Sequence, residues 1–301
     1  MTGLRSGFVP VVGRPNVGKS TLVNALVGEK VSIISSRPQT TRNTIRGVVT
    51  GADEAGEPSW QLVLVDTPGV HRPRTELGNR LNSLVYGTLA DADVVVFVVD
   101  ATQPIGPGDR LIAERLGEAG SNTVVVVNKV DAAGKGSIVS QLDEASMWDF
   151  DAYVPVSALR GENLAPLMNE LVDKLPEGPL YFDPETRSDQ ADLVLAAEII
   201  REKFLDRLRD EVPHSLVVVV DDMVERSEDL QVLSARVVVE RNSQRGIVIG
   251  KGGSMLKTAG TEARQELESL FGTRIHLDLR VTVEADWQTK PQMLDRLGFG
   301  A

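Results

Sequence analysis

The segment Gly13–Ser20 has the residue types and the spacing of a phosphate-binding loop. A glycine is followed by four residues and then by Gly18, Lys19 and Ser20. Glycines let backbone N–H groups face phosphate oxygens at the start of a helix, where the helix dipole also favours negative charge. Lys19 is expected to neutralise the β- and γ-phosphates, and Ser20 to ligate Mg²⁺. The segment alone predicts a nucleoside triphosphate site, with a chance glycine turn as the alternative.

Three further segments follow predicted strands and narrow that prediction. Asp66–Gly69 offers a carboxylate to Mg²⁺ and a backbone N–H to a γ-phosphate. Asn128–Asp131 ends in an aspartate that can accept two hydrogen bonds, from N1–H and the exocyclic amine of guanine. Ser157–Leu159 can offer a backbone N–H to guanine O6. Asp66 and Ser157 alone would more often be turn residues at a strand end, but all four segments in this order predict a guanine-nucleotide site.

A glycine-rich turn, Gly250–Gly253, is a second candidate site. Glycines at both ends of a four-residue turn let the backbone approach a sugar-phosphate chain. Ile247 and Ile249, just before the turn, are expected to line a base-binding groove and to pack the core. From Arg241 to Lys257 there are four basic residues and no acidic one, although the whole chain has a net charge of −11. The pattern predicts RNA binding, and a helix-entry turn with solvated lysines is the alternative.

The elements that position the nucleotide segments are short, uninterrupted apolar runs in the first half of the chain. Such runs suit strands that are buried on both faces of a parallel sheet. The predicted strands are Phe8–Val12, Leu62–Val65, Val94–Val99, Val124–Val127 and Tyr153–Val156, and the predicted crossover helices include Ser20–Val27, Arg110–Glu118 and Ser137–Glu144. This order predicts a doubly wound α/β domain with a mostly parallel sheet.

The composition changes after Leu175, and a different pattern follows. Three prolines and several charges in residues 176–188 favour an interdomain linker over a surface loop. The predicted elements beyond it are a helix Asp192–Glu211, strands Leu216–Asp222 and Leu233–Glu240, a helix Ser254–Leu270 and a strand Arg274–Glu284. This α-β-β-α-β order predicts an α+β domain. The predicted boundaries are residues 1–176 for the first domain, 177–190 for the linker and 191–301 for the second domain.

Composition excludes several other classes of protein. With 301 residues, 42% of them hydrophobic and 25% charged, the chain has the composition of a soluble globular protein with two domains. The absence of cysteine excludes disulfides, thiolate zinc sites and cysteine nucleophiles, and the three histidines are too scattered to predict a metal cluster. No apolar run reaches the ~20 residues of a membrane span. The first residues lack a signal-peptide core, so a cytoplasmic location is expected.

The four nucleotide segments resemble the G1, G3, G4 and G5 motifs of the translation-factor class of GTPases. By that resemblance, Gln39–Asn43 is the G2 element of the first switch and supplies the second Mg²⁺ hydroxyl. Thr41 is favoured over Thr40 for that role. The predicted Mg²⁺ ligands are thus Ser20, Thr41 and Asp66.

One position departs from the Ras-like pattern. Val70 stands where Ras-like GTPases carry the glutamine that orients the attacking water, and a valine side chain cannot form a hydrogen bond. In some similar GTPases an asparagine placed like Asn16 helps to hold K⁺ beside the phosphates. Asn16 is therefore a candidate K⁺ ligand, and a loop-capping role for its side chain is the equal alternative.

Together, the two halves resemble the Era family of bacterial ribosome-assembly GTPases, from Gly7 to about Gly298. The resemblance includes Leu180–Phe182 in the linker and the helix Ala197–Lys203. It implies a P-loop GTPase domain followed by a type II KH domain, with GTP, GDP and Mg²⁺ as ligands. It also implies binding to the 3′ end of 16S rRNA and the 30S subunit, in small-subunit assembly and rRNA maturation, by a monomer in the cytoplasm. The resemblance also implies peripheral association with the inner face of the cell membrane. The sequence has no amphipathic or polybasic segment that supports this association independently.

The predicted site residues form three groups. The nucleotide group is Gly13, Arg14, Pro15, Asn16, Val17, Gly18, Lys19, Ser20, Thr21, Asp66, Thr67, Pro68, Gly69, Val70, Asn128, Lys129, Val130, Asp131, Ser157, Ala158 and Leu159. The first-switch group is Gln39, Thr40, Thr41, Arg42 and Asn43. The RNA group is Arg241, Arg245, Gly246, Ile247, Ile249, Gly250, Lys251, Gly252, Gly253 and Lys257.

Three functions fit these sites. The first is an enzyme that hydrolyses GTP as a timer, with RNA as its effector. The second is a nucleotide-gated RNA-binding module whose own hydrolysis is incidental, which Val70 permits. The third, a tRNA-modifying or double-GTPase relative, is disfavoured because a second set of nucleotide motifs and any cysteine are absent.

Overall fold

The computed structural model describes residues 3–35, 37, 40–71, 73, 75–209, 212–227 and 229–299. The chain divides into two compact units. Unit 1 comprises Met1–Ser32, Thr41–Pro73 and Leu81–Asp189, and unit 2 comprises Ile33–Thr40, Arg74–Arg80 and Gln190–Ala301. Two short segments from the first half of the chain thus belong to the second unit.

Six strands form one sheet in the described part of unit 1, in the order β2-β3-β1-β4-β5-β6. Only β2 runs antiparallel to its neighbour. The strands are β1 Arg5–Val12, β2 Ile45–Ala52, β3 Pro58–Asp66, β4 Val95–Asp100, β5 Thr123–Asn128 and β6 Ala152–Val156. The helices of this half of the chain are α1 Lys19–Val27, α2 Glu76–Ala90, α3 Pro107–Ala119, α4 Lys135–Ser146 and α5 Leu164–Asp173.

The valine-rich runs are explained by burial on both faces of this sheet. In β4, Val96 and Val98 lie in a core that includes residues of α1 and α5, whereas Val95 and Phe97 lie in a second core that includes residues of α3. Side chains alternate between the two faces of a strand, so a strand that is covered on both faces has apolar residues at successive positions. The doubly wound α/β prediction is confirmed.

Three elements of this half carry no clear signal in the sequence. The strand β2 is interrupted by Gly47 and Gly51 and has exposed positions, as an edge strand does. The helix α2 contains Gly78 and Gly87, which weaken a helical pattern. The helix α5 has only ten residues.

Unit 2 contains a three-stranded sheet in the order β7-β8-β9, with β7 antiparallel and β9 parallel to β8. Its core lies between this sheet and helices α6 and α8. The elements are α6 Asp192–Leu205, β7 Val217–Ser227, β8 Leu230–Val239, α7 Asn242–Ile249, α8 Ser254–Phe271, β9 Arg274–Val283 and α9 Pro291–Arg296. The α+β prediction is confirmed.

Two predicted features of unit 2 are wrong. The first helix ends at Leu205 rather than at Glu211; positions 210 and 211 lie outside the described residues. An additional helix, α7, precedes the glycine turn, so the order from α6 to β9 is α-β-β-α-α-β, and the short helix α9 follows. The sequence does not indicate helix α7, because Gly246 and the β-branched residues within it have low helix propensity. The buried side chain of Gln244 stabilises its start by accepting the N–H groups of Glu240 and Arg241.

The segment predicted as a linker lies along the strands of unit 1 up to Asp189. The fully buried side chain of Gln61 bonds to this segment through both its amide oxygen and its amide nitrogen. Its Oε1 accepts the N–H groups of Tyr181 and Phe182, at 2.8 and 3.0 Å, and its Nε2 donates to the Phe182 carbonyl at 3.0 Å. Further along, the Val48 N–H on β2 donates to the carbonyl of Arg187. The sequence gives no sign that a strand glutamine holds this segment.

Among the described residues, no helix combines the length and the apolar character that crossing a membrane would require.

Candidate functional site

The phosphate loop connects β1 to α1 and already has a curled backbone. Gly13 and Gly18 have φ angles of 152° and 96°, which glycine adopts readily. The buried Lys19 Nζ donates to the carbonyls of Gly13 and Arg14, at 3.2 and 3.0 Å. Burial lowers the pKa of Lys19 to about 8, and the nearby Asp66 carboxylate opposes that shift. A bound phosphate would restore a strong anionic partner to this buried ammonium.

Three oxygen donors meet beside the loop, where the sequence predicted Mg²⁺ ligands. The Ser20 Oγ and Thr41 Oγ1 atoms are 2.9 Å apart, and Thr41 Oγ1 is 3.3 Å from Asp66 Oδ2. Burial raises the pKa of Asp66, while hydrogen bonds from Ser20 and others oppose the shift. Its Oδ1 is buried without a hydrogen-bond partner among the described residues. An all-oxygen set with a spare carboxylate oxygen fits a hard divalent cation such as Mg²⁺.

The two candidate threonines of the first switch have different surroundings. The Thr41 hydroxyl lies beside Ser20 and Asp66, whereas the Thr40 hydroxyl donates to the Arg37 carbonyl at 2.7 Å. Arg42 is buried and Asn43 is half-buried. Gln39, predicted as part of this switch, lies outside the described residues.

A pocket of about 190 Å³ lies where the base was predicted. Its lining is Gly18, Thr21, Asn128, Lys129, Asp131, Ala132, Ala158 and Leu159. Asn128 donates to the Val17 carbonyl at 2.9 Å and accepts the Ala158 N–H at 3.1 Å. Asp131 accepts the Ser157 hydroxyl at 2.6 Å through Oδ1. The side chain of Asn128 thus joins the phosphate loop to the Ser157–Leu159 segment, and Asp131 is held at the pocket.

Lys129 has a partner that sequence reasoning missed. Its Nζ donates to the Asn16 carbonyl and to Asp100 Oδ2, both at 2.6 Å. Asp100 ends strand β4 just as Asp66 ends β3. That strand-end position was the signal that could have identified it.

Val70 is buried with Val12, Val85 and Ile112 in the core of unit 1. Its backbone N–H donates to the Gly13 carbonyl at 3.2 Å. The neighbouring Gly69 leaves no room for a side chain, because a Cβ there would lie 2.7 Å from the Pro15 nitrogen. The Val70 side chain therefore packs against the core and has no polar group to orient a water molecule.

The remaining nucleotide residues hold these segments together. The Thr67 hydroxyl donates to the Val11 carbonyl at 2.7 Å, and the Val130 N–H donates to Val156. Arg14 forms an ion pair with Asp109 at 2.8 Å, which attaches the phosphate loop to the start of α3. Leu159 is 78% exposed at the rim of the base pocket.

In unit 2, the predicted glycine turn separates α7 from α8. Gly250, Gly252 and Gly253 have φ angles of 74°, 61° and 80°. A Cβ on Gly250 would lie 2.8 Å from the Met255 nitrogen, whereas the space around Gly252 and Gly253 is open. The turn thus presents bare backbone at the start of the long helix α8.

A groove of about 410 Å³ lies between α8 and β9. Its lining is Gly253, Leu256, Lys257, Gly260, Thr261, Arg264, Leu277, Asp278 and Leu279. Ile247 and Ile249, which were expected to line a groove here, lie on α7 outside this set. Ile249 packs against the core and Ile247 is half-exposed. Sequence reasoning missed Gly260, where a Cβ would lie 3.0 Å from Leu279 and narrow the groove.

Among the described residues, the cations near this turn lack the ion pairs that several other cations of unit 2 form. Lys203, Arg207, Arg236 and Arg264 each form an ion pair with a glutamate or an aspartate. The four basic residues of the turn region form no ion pair with another described residue. They are Arg241, Arg245, Lys251 and Lys257. Their charge is available to an anionic partner.

Comparison with known proteins relates the two parts of the chain to a GTPase family and to the KH domain family. Residues 8–129 match the family described as 50S ribosome-binding GTPase, and residues 211–288 match the KH domain family. The chain is 50% identical to GTPase Era of Mycolicibacterium smegmatis and of Mycobacterium tuberculosis H37Rv, over 99% of this chain and 100% of each relative.

Two solved structures resemble the chain over its whole length. One is an Era variant from Aquifex aeolicus bound to GDP·AlF4⁻, with a TM-score of 0.93 and 35% identity. The other is Era in complex with MgGDPNP and nucleotides 1506–1542 of 16S ribosomal RNA, with a TM-score of 0.93 and 36% identity. Each match covers 99% of this chain and 100% of the other. Because the chain is 50% identical over 99% of its length to the two mycobacterial Era proteins, and matches a GTPase family and the KH domain family, it belongs to the Era family of GTPases.

Proposed function

We propose that this chain hydrolyses GTP with Mg²⁺ and binds the 3′ end of 16S rRNA through unit 2, under nucleotide control, during assembly of the small ribosomal subunit. The proposal rests on one observation, the similarity of the whole chain to the solved structure of Era in complex with MgGDPNP and 16S rRNA nucleotides. The chain would act in the cytoplasm, and its peripheral association with the membrane stays a prediction from the family resemblance.

The residues of the phosphate site fit the roles that GTP hydrolysis needs. Ser20 and Thr41 would ligate Mg²⁺, and the carboxylate of Asp66 would complete the protein's share of the ligands. The ion, when bound, neutralises charge on the β- and γ-phosphates. Lys19 adds a fixed positive charge in a buried place, where electrostatic stabilisation is stronger than in water. The separation of 2.9 Å between the Ser20 and Thr41 oxygens supports this assignment.

The buried Val70 supports a second candidate function for the same sites. Because this side chain cannot orient a water molecule, hydrolysis needs a positioning group from elsewhere, or stays slow until a partner supplies one. The backbone N–H of Gly69, Asn16 with K⁺, or bound RNA would each meet that need. If none does, the chain is a nucleotide-gated RNA-binding module whose hydrolysis is incidental.

Electrostatics supports RNA binding at the glycine turn. The chain has a net charge of −11, so its overall field repels nucleic acid. The four unpaired cations from Arg241 to Lys257 provide a local attraction beside bare glycine backbone. A single-stranded segment would place its backbone along the turn and its bases in the groove between α8 and β9.

The experiment measures GTP turnover with and without an RNA that matches the 3′ end of 16S rRNA. A double variant, Lys251→Asp with Gly252→Asp, removes a cation and adds charge at the turn. Its matched control is Lys135→Asp with Gly136→Asp, the same change on an exposed Lys-Gly pair at the start of α4. We expect RNA to raise turnover in the unmodified chain and the control, and not in the turn variant.

The other outcomes separate the two candidate functions. RNA that binds through the turn without raising turnover would identify a nucleotide-gated binder. RNA that binds the turn variant as tightly as the unmodified chain would contradict the proposed RNA site.

A further inference from the structure

The helix α6 of unit 2 buries three charged side chains that neither proposed site uses. Glu198, Arg201 and Glu202 are only 8%, 0% and 4% exposed. They belong to the Ala197–Lys203 stretch that resembles the Era family. Charged groups are costly to bury unless partners satisfy them, so each must have a specific partner.

Two of these side chains, Arg201 and Glu202, have a partner in the segment Ile33–Thr40, which belongs to the same unit. Arg201 Nη2 donates to the Thr40 carbonyl. Glu202 Oε1 accepts the Ile34 N–H at 2.9 Å. Ile33 itself is 1% exposed and forms part of the core of unit 2. The helix therefore holds the segment at its first two residues and at its last.

The side chain of Arg201 is itself fixed before it reaches Thr40. Its Nε and Nη2 donate to the two carboxylate oxygens of Glu198, at 3.0 and 2.7 Å. A bidentate pair of this kind fixes the plane of the guanidinium group. A lysine would lack the planar arrangement that serves Glu198 and the Thr40 carbonyl together.

The next residue, Thr41, has its partners in unit 1. Its hydroxyl lies 2.9 Å from Ser20 Oγ and 3.3 Å from Asp66 Oδ2. One peptide bond joins the carbonyl that Arg201 holds to the residue whose hydroxyl is proposed to ligate Mg²⁺. That bond allows little rotation, because the peptide unit is planar.

We propose that Arg201, fixed by Glu198, is a positioning residue for the first switch. By holding the Thr40 carbonyl, it sets the orientation in which Thr41 presents its hydroxyl to Mg²⁺. The family-like sequence of α6 is then the anchor of the switch, in addition to its part in the core of unit 2. This inference rests on the proposed Mg²⁺–GTP site and adds a residue that sets the position of one of its proposed ligands.

The test measures how much Mg²⁺ the full chain needs to retain a fluorescent GDPNP analogue. The main variant is the double change Glu198→Gln with Arg201→Met, which removes both charges and so leaves no unpaired buried ion. Arg201→Lys is a second variant, which keeps the charge and loses the planar fork. The control is Arg207→Met, because among the described residues Arg207 forms its hydrogen bonds with the Lys203 carbonyl and with Glu262, and none with the segment.

We expect the Mg²⁺ concentration for half-maximal GDPNP retention to rise about tenfold in both Arg201 variants, the effect of losing one hydrogen bond from a charged donor. The affinity for GDP measured in EDTA should not change, because without Mg²⁺ there is no metal for the Thr41 hydroxyl to ligate. The Arg207→Met control should match the unmodified chain in both assays. A general loss of structure would instead lower GDP affinity in EDTA.

An unchanged Mg²⁺ requirement in a folded Arg201→Lys or double variant overturns the inference. So does an equal rise in the Arg207→Met control. Failure of the proposed function is seen separately, as GDPNP binding to the unmodified chain that does not respond to Mg²⁺.

Discussion

At the scale of single residues, Asp131 and Asn128 share the base pocket but have different tasks. Asn128 uses its side-chain amide within the protein, on the Val17 carbonyl and the Ala158 N–H. Asp131 is bonded only through Oδ1 to Ser157 at close range, and its pair with Arg160 is longer, at 3.8 Å. We therefore propose that selection between bases depends on the carboxylate of Asp131.

Replacing Asp131 by Asn should exchange guanine preference for xanthine preference. The carboxylate would accept both N1–H and the exocyclic amine, and an amide loses one of these acceptors while it offers a donor to the xanthine carbonyl. The amide loses one hydrogen bond, and the other loses its charged acceptor while the amide NH2 faces the guanine amine. Together these changes cost up to about 3 kcal/mol, so GTP affinity should fall up to roughly 100-fold. Competition between GTP and XTP in equilibrium binding measures the change, and retained guanine preference would refute this role for Asp131.

The K⁺ hypothesis for Asn16 gives a second prediction at this scale. Asn16 has a φ angle of 64°, a left-handed conformation that alanine would adopt only with strain. Asn16→Gly is therefore the suitable variant, since it removes the side chain and keeps the backbone.

We expect turnover of the unmodified chain to fall at least about tenfold when Na⁺ replaces K⁺, the scale of losing one preorganised charge-stabilising group. The Asn16→Gly chain should turn over at the same slow rate in either salt. Equal rates in K⁺ and Na⁺ for the unmodified chain would leave Asn16 with the loop-capping role.

At the scale of elements, the end of α8 and the start of β9 are joined by Glu268. Its Oε1 accepts the Ile275 N–H at 3.0 Å, and both of its oxygens accept hydrogen bonds from Arg264 at 2.8 Å. The hydrogen bond from the Ile275 N–H, with those from Arg264 and the charge of Arg264, lowers the pKa of Glu268 below its ordinary value of 4.5, and burial opposes the shift.

A lowered pKa in the folded state stabilises the fold above the ordinary pKa, and this contribution disappears as pH falls through the lowered value. Glu268→Gln should therefore reduce the free energy of unfolding at pH 7, and the difference from the unmodified chain should shrink below pH 4.5. Urea unfolding at pH 7 and pH 3.5, followed through the buried Trp287 with Trp60 and Trp148 replaced by Phe, measures it. A difference of equal size at both pH values would contradict the role of the ionised carboxylate.

The same scale separates what the sequence could predict from what it could not. The strands β1, β3, β4, β5 and β6 were predictable because burial on both faces leaves an uninterrupted apolar run. The helix α7 was not, because its stability comes from the Gln244 side chain rather than from helix propensity. The nucleotide motifs are local in sequence and therefore readable. The contact of Arg201 with Thr40 joins positions 161 residues apart, and no spacing rule reveals it.

At the scale of the whole molecule, the distribution of charge decides how RNA can bind. A chain with a net charge of −11 gains no general attraction to phosphates. The cations that form ion pairs, such as Arg236 with Asp221 at 2.7 Å, are already neutralised. RNA binding at the glycine turn should therefore depend on its four cations, which form no ion pair with another described residue and have no acidic residue among them in sequence.

The salt dependence of RNA affinity tests this distribution. Release of counterions from a single strand gives a slope of about −0.7 per neutralised phosphate, so four cations predict a slope of at most about −3 for log affinity against log salt concentration. Lys257→Gln should reduce that slope by about 0.7 and weaken binding to every RNA sequence alike. Arg236→Gln removes the same charge from an ion pair and should leave the slope unchanged. Equal effects of the two substitutions would mean that RNA responds to the net charge of the molecule, and that the turn has no particular role in holding its phosphates.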